Sequence, residues 1–193
     1  FFAAGLYGMG LTVQHLGFTP LPAILVGIVA GVIVSAALAL LALRTVGVAF
    51  MIVTLMFAQA GYLTVLYFGD YTRGDEVFVI HAADRMLWGI DLSDDTNRYF
   101  AAWALFAASL LICLKLVRAP FGRTLVAIRE NEERVRMLGY DTFSHKLWAM
   151  VISGTISATA GAFYGLLFGY VGASFASVQY SILPLLWVLL GGA

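Results

Sequence analysis

Charge is scarce in this sequence. Lysine and arginine number 11 and aspartate and glutamate 11 among 193 residues, or 11% charged, where soluble domains carry about 25%. Residues 1–43, 45–69 and 147–193 hold no Asp, Glu, Lys or Arg at all. That absence disfavours proton relays and salt-bridged ion sites within them, because an ionisable group in lipid persists only for a function. The two signs cancel to a net charge of zero, so no basic excess recruits nucleic acid. Cys113 is the one cysteine and permits no disulfide within the chain. His15, His81 and His145 lack the Cys/His spacing of a zinc site. Neither lysine follows a glycine, which removes a phosphate-cradling Gly-Lys-Ser/Thr loop; His-Glu-x-x-His is missing, and no serine sits in a Gly-x-Ser-Gly setting that would suggest an intramembrane nucleophile. No catalytic, cofactor or metal residues are therefore assigned. Gly5, Gly8 and Gly10 follow no strand, so they read as helix-packing positions rather than a nucleotide loop.

What is present is apolar surface. Hydrophobic residues make up 62% and mean hydropathy is +0.92, more than one soluble core of this size could cover. A bilayer crossing needs about 20 apolar residues. Charge-free runs give complete spans at Leu21–Leu43, Val46–Phe68, Tyr99–Val117 and Leu147–Tyr170, with partial spans at Phe1–Leu16 and Val178–Ala193. The expectation is an all-α polytopic transmembrane bundle, 1–193 forming one domain of about six crossings. Both ends fall within apolar sequence, so an excerpt of a longer membrane protein is expected. Pro20 and Pro22 suit the start of the second span, whereas Pro184 falls inside the last and should kink or break it.

Basic residues mark the cytoplasmic side. Lys115, Arg118, Arg123, Arg129, Arg134, Arg136 and Lys146 cluster in one connection, and Arg44 shares that side by alternation. The other side carries Arg73, Arg85 and Arg98 against Asp70, Asp75, Glu76, Asp84, Asp91, Asp94 and Asp95. Residues 118–146 are thus read as cytoplasmic and 69–98 as an extracytoplasmic loop. The acidic cluster lacks EF-hand spacing, and Asp94, Asp95, Thr96 or Asn97 is expected to cap the next helix.

Ser153, Ser157, Gly161, Gly165 and Gly169 recur every fourth residue, drawing a small-residue stripe for close helix contact, while Ile152, Ile156, Phe163 and Leu167 fall on another face. Thr54, Gln59, Thr64, Ser109, Thr155, Thr159 and Gln179 are the candidate buried polar groups. They read either as helix-to-helix or back-bonded hydroxyls, the favoured account, or as the lining of a solute path. Gln59 is the best path candidate, since its amide near mid-span needs partners lipid cannot supply.

From Ala119 to Lys146 the chain is too charged to cross and too helix-favouring to be a plain linker. Leu125, Ile128, Val135 and Leu138 recur at helical spacing, which predicts an amphipathic surface helix over Arg123–Leu138, in one or two pieces, capped by Gly139. Glu130, Glu132 and Glu133 oppose anionic lipid. A solvated face and a docking helix for a cytoplasmic partner both fit what remains.

Here the residues resemble a family. Pro120-Phe121-Gly122-Arg123, Ala127-Ile128-Arg129-Glu130-Asn131-Glu132 and Leu138-Gly139 are similar to the cytoplasmic loop of LivM-type permeases, membrane subunits of branched-chain amino-acid ABC importers. Phe2-Ala3-Ala4-Gly5, the stretch Arg44–Phe57 with Thr54-Leu55, Phe57-Ala58-Gln59 and Leu189-Leu190-Gly191-Gly192 share the resemblance. It implies an inner-membrane permease working by alternating access, with ABC ATPase subunits, a second permease subunit and an extracytoplasmic solute-binding protein as partners. It further implies an ATPase-coupling segment of Arg129, Glu130, Glu132, Glu133, Arg134, Leu138 and Gly139. Glu133 and Gly139 match its glutamate and glycine, and Arg134 and Val135 stand in its two alanine places. One departure is Thr72-Arg73-Gly74-Asp75-Glu76-Val77, where family members often carry Thr-Gly-Gly-x-x-Gly. Arg73 and Val77 are expected to avoid positive φ, giving the outer loop another shape. A non-transporting assembly subunit and an intramembrane enzyme stand as rival readings.

Overall fold

A computed structural model describes residues 1–74, 76–80, 85–87 and 90–191. Asp75, His81, Asp84, Gly192 and Ala193 lie outside the described residues. The chain forms helices α1 (Phe2–Leu16), α2 (Pro20–Ala42), α3 (Val48–Tyr67), α4 (Gly69–Thr72), α5 (Asp95–Arg118), α6 (Pro120–Glu130), α7 (Glu132–Met137), α8 (Thr142–Phe168) and α9 (Val178–Gly191). Four of them, α2, α3, α5 and α8, are long and apolar enough to cross a membrane. Boundaries follow local chemistry. Pro20 opens α2 from an extended Thr19, Pro120 opens α6 and holds Ala119 extended (φ −68°, ψ 161°), and left-handed glycines close α1 at Gly17 and α8 at Gly169. Both α5 and α8 begin several residues before the apolar runs do, taking polar residues into their first turns.

The centre is a trio, α1, α2 and α8, each packed on the other two. Their backbones approach through small residues. A methyl group at Gly5 would overlap the Ala158 carbonyl, one at Gly161 the Phe2 carbonyl, and one at Gly31 the Ala158 side chain. One at Gly27 would lie 2.6 Å from the Gly5 oxygen. The buried line on α8 runs Gly154, Ala158, Gly161, Ala162, Gly165, so the stripe is offset from the predicted one. Ser153 is exposed and Leu167 is buried, because the trio closes on α8 from two sides rather than along a single row.

At the acidic end the connection after α3 is not merely solvated. Phe78, Ile80 and Leu92 join Leu6, Met9, Val13, Leu166 and Val171 in the hydrophobic core. Strand β1 (Phe78–Val79) pairs antiparallel with β4 (Tyr170–Val171), and β2 (Met86–Leu87) pairs with β3 (Ile90–Asp91). A 3₁₀ turn at Ala173–Ala176 leads into α9. The Ile80 amide donates to the Gly169 carbonyl at 2.9 Å, which fastens this cap to the end of α8. Arg73 corrects the expectation for its loop: it adopts φ 60°, the one non-glycine positive φ among the described residues. The left-handed turn costs about 1–2 kcal/mol and is held by Thr72, whose hydroxyl donates to the Val65 carbonyl at 2.6 Å and accepts from the Gly74 amide at 3.2 Å. Asp94 stands at the N-cap of α5 without a side-chain cap bond; Asp95 instead pairs with Arg98 at 2.5 Å.

Candidate functional site

The basic end carries the most built surface. Gly122 lets α6 fold back on α5, since a side chain there would meet the Leu116 and Val117 carbonyls, the latter at 2.5 Å. The surface helix comes in two pieces. Asn131 is extended (φ −158°, ψ 99°) and its side-chain oxygen accepts the Arg134 amide at 3.0 Å, ending α6 and capping α7 in one residue. α7 closes on a Schellman turn: Gly139 at φ 86° donates to the Arg136 carbonyl at 3.0 Å, and Tyr140 to the Val135 carbonyl at 3.4 Å.

The C-terminal end of α7 decides which side chains show. Ile128 and Val135 are buried. Leu138 does not share that face, contrary to the helical spacing read across Arg123–Leu138, because α7 ends at Met137 and Leu138 is its C-cap residue. It is 76% exposed, beside Met137 at 84% and Tyr140 at 50%. Arg129, Glu130, Glu133, Arg134 and Gly139 are exposed as well. The α7 tip thus offers three apolar side chains ringed by both signs of charge.

Glu132 is placed differently from its neighbours. One carboxylate oxygen, Oε2, accepts from Lys146 Nζ at 2.5 Å, and Oε1 accepts from Arg136 Nη2 at 3.2 Å and the Thr142 hydroxyl at 3.1 Å. Thr142 is buried, and it and Lys146 belong to the first turns of α8. The hydrogen bond from Lys146, ahead of the attraction of Lys146 and Arg136, holds the Glu132 carboxyl below the usual carboxylate range. Asp141 caps α8, accepting from the Phe143 and Ser144 amides at 3.1 and 3.2 Å. Its carboxyl is lowered chiefly by the Ser144 hydroxyl. Phe121 of α6 stacks on His145 with ring centroids 5.7 Å apart, so α6, α7 and the start of α8 form one block. Sequence reasoning counted Lys146 and Arg136 as orientation charge and passed over Thr142, Met137 and Tyr140. An acid fourteen residues before a lysine carries no periodic signal to find.

The mid-span candidates are not gathered into a polar path among the described residues. Thr54 is half-buried, and its hydroxyl donates to the Phe50 and Met51 carbonyls at 3.0 and 2.9 Å. Thr64, Ser109, Thr155 and Thr159 likewise bond the preceding turn of their own helices. Gln59, Thr64 and Gln179 are exposed. None of the seven is buried: five lie on α3, α5 and α9, which bury no residue against the rest of the chain, and Thr155 and Thr159 are half-buried on α8. Gly161 and Gly165 lie in the trio, a methyl at Gly165 falling 2.7 Å from Met9 Cε, and Gly169 (φ 65°) ends α8 beside the Arg85 guanidinium. Arg85 Nη1 donates to the Leu167 carbonyl at 3.3 Å, a cation at a helix C-terminus.

Comparison with known proteins agrees with this architecture. Over 105 residues, 52% of the chain, it is 34% identical to the probable branched-chain amino acid transport permease protein LivM of Methanocaldococcus jannaschii, covering 30% of that protein. A high-affinity branched-chain amino acid transport system permease protein LivM of Salmonella typhimurium is 34% identical over 94 residues, 49% of the chain and 22% of the relative. The L-arabinose transport system permease protein AraH of Escherichia coli is 31% identical over 90 residues, 47% of the chain and 27% of the relative. These alignments span less than a third of each relative's length. No solved structure matches significantly. The family model described as branched-chain amino acid transport system / permease component matches residues 1–193. The chain therefore belongs to that family of multi-pass transport permeases, which is not an enzyme family.

Proposed function

We propose that this chain is a membrane-spanning part of an ATP-driven importer for branched-chain amino acids or related small polar solutes, with residues 118–146 as its cytoplasmic coupling surface. In this reading separate ATPase subunits grip the α7 tip through Glu133, Arg134, Leu138 and Gly139, with Arg129 and Glu130 at its rim. A second permease subunit flanks the chain in the inner membrane, and a solute-binding protein delivers cargo to the acidic end. The observation that carries it is the α7 tip: apolar Met137, Leu138 and Tyr140 stand exposed at the end of a helix whose own anchor, Val135, is buried, as is Ile128 of α6. Apolar anchors within a charged rim suit a protein groove, and a short capped helix moves as a rigid body.

Cysteine crosslinking tests the docking. Arg134→Cys in the full-length chain is expected to link to an ATPase subunit in at least one nucleotide state; no link in any state overturns the coupling surface. Uptake of labelled leucine against labelled arabinose in vesicles, with the cognate binding protein, tests the cargo, because a relative of each kind aligns with the chain. Transport that persists after the chain is deleted would favour a non-transporting assembly subunit.

A further inference from the structure

Two routes lead from α7 into the membrane. One runs back through α6, which touches the start of α8 where Phe121 stacks on His145 and continues into α5, a helix with no buried residue. The other crosses directly to α8, whose buried line is locked into α1 and α2 by backbone-close contacts at Ala158 and Gly161. At its far end α8 holds the cap at the acidic end through Gly169 and Val171. At 27 residues it is about 40 Å long at 1.5 Å per residue.

The direct route passes through Glu132. Arg136 is an ordinary partner one turn away, but Lys146 and Thr142 lie 14 and 10 residues on, in another helix. Both carboxylate oxygens are occupied, one of them by a buried hydroxyl. The acid is turned toward α8, away from the exposed Glu133, Arg134 and Leu138. A solvated ion pair would not need that convergence, and exposed pairs seldom hold one geometry. Here three donors from two helices fix one carboxylate.

We propose that Glu132 is the positioning residue that clamps α7 to α8, so that movement imposed on the α7 tip travels along α8 into the α1–α2–α8 trio rather than through α5. This rests on the coupling surface proposed above. The clamp is distinct from the docking tip: one grips the partner, the other delivers the displacement.

The test uses the full-length chain with its ATPase and sister subunits in vesicles, with Cys113→Ala and any cysteine outside residues 1–193 also replaced, so that no other thiol from this chain reacts. Glu132→Gln is expected to lower solute taken up per ATP hydrolysed about tenfold, within the usual range of coupling energies, while the ATPase subunits still co-purify. Lys146→Gln, which removes the same link from the α8 side, is expected to match it. Glu132→Cys with Lys146→Cys is expected to be uncoupled until a bifunctional thiol reagent joins the two, and coupled afterwards. A merely structural acid would not be rescued by that bridge. Wild-type coupling in both glutamine variants, or a bridged pair that stays uncoupled, overturns the clamp. If the Arg134→Cys link to the ATPase forms in the same preparations, the coupling surface survives that result; if it never forms, the coupling surface is the reading that fails.

Discussion

Glycine positions in the trio work by what they leave out. Gly5, Gly31 and Gly161 occupy points where a single added methyl overlaps another helix's atoms, whereas Gly61 on α3 has nothing within 4 Å. Gly161→Ala should therefore destabilise the protein by about 1–3 kcal/mol through overpacking. Gly61→Ala should gain up to about 1 kcal/mol of helix propensity. Thermal unfolding in detergent compares them directly, and equal shifts would refute the close-packing account. The recurrence of small residues on α8 was legible in the sequence, but its phase was not. Ser153 and Gly154 are interchangeable on size alone, and only the position of Ser35 across the interface chooses between them. Arg73 was misread for a related reason. Its positive φ is imposed by the Thr72 hydroxyl bridging Val65 and Gly74, and no feature of residues 72–77 alone announces that bridge.

The block of α6, α7 and the start of α8 stands or falls on its ends. Asn131→Ala removes the bond to the Arg134 amide and should cost about 1 kcal/mol. Gly139→Val forces a branched side chain to φ 86° and should cost about 1–2 kcal/mol. Limited proteolysis between α7 and α8 should quicken in both, and an unchanged cleavage rate would count against the caps. Glu132 adds a pH dependence. Its folded-state pKa lies below the unfolded one, so its contribution is complete above the ordinary carboxylate range and disappears as pH falls through the depressed value. The α7–α8 contact should thus hold from neutral to mildly acidic pH and loosen only in stronger acid. Proteolysis against pH should show that acid step in the wild type and a smaller one in Glu132→Gln, where Asp141, whose carboxyl is also lowered, still caps α8. At this scale the long helices were readable from charge-free runs alone. The split at Asn131 was not, since helical spacing continues in register across a residue that the backbone turns out of the helix.

Across the whole molecule, charge placement predicts which end faces which compartment. With Cys113 replaced, a cysteine at Tyr140 should react with an impermeant thiol reagent only from the cytoplasm, and one at Tyr71 only from outside. Labelling of both from one side would refute the alternation of spans. Composition disclosed the membrane and the helical class, because lipid leaves few ways to satisfy a backbone. The packed cap at the acidic end stayed hidden, since residues 77–80 are a run of only four apolar residues, Leu92 stands alone between Asp91 and Ser93, and two-residue strands have no period to detect. The interlocked trio has a mechanical corollary. Helices whose carbonyls rest against each other's glycines cannot slide by part of a turn without collision, so α1, α2 and α8 must swing as a single slab. The give then falls on α3, α5 and α9, which bury no residue against the rest of the chain and so can tilt without tearing its core.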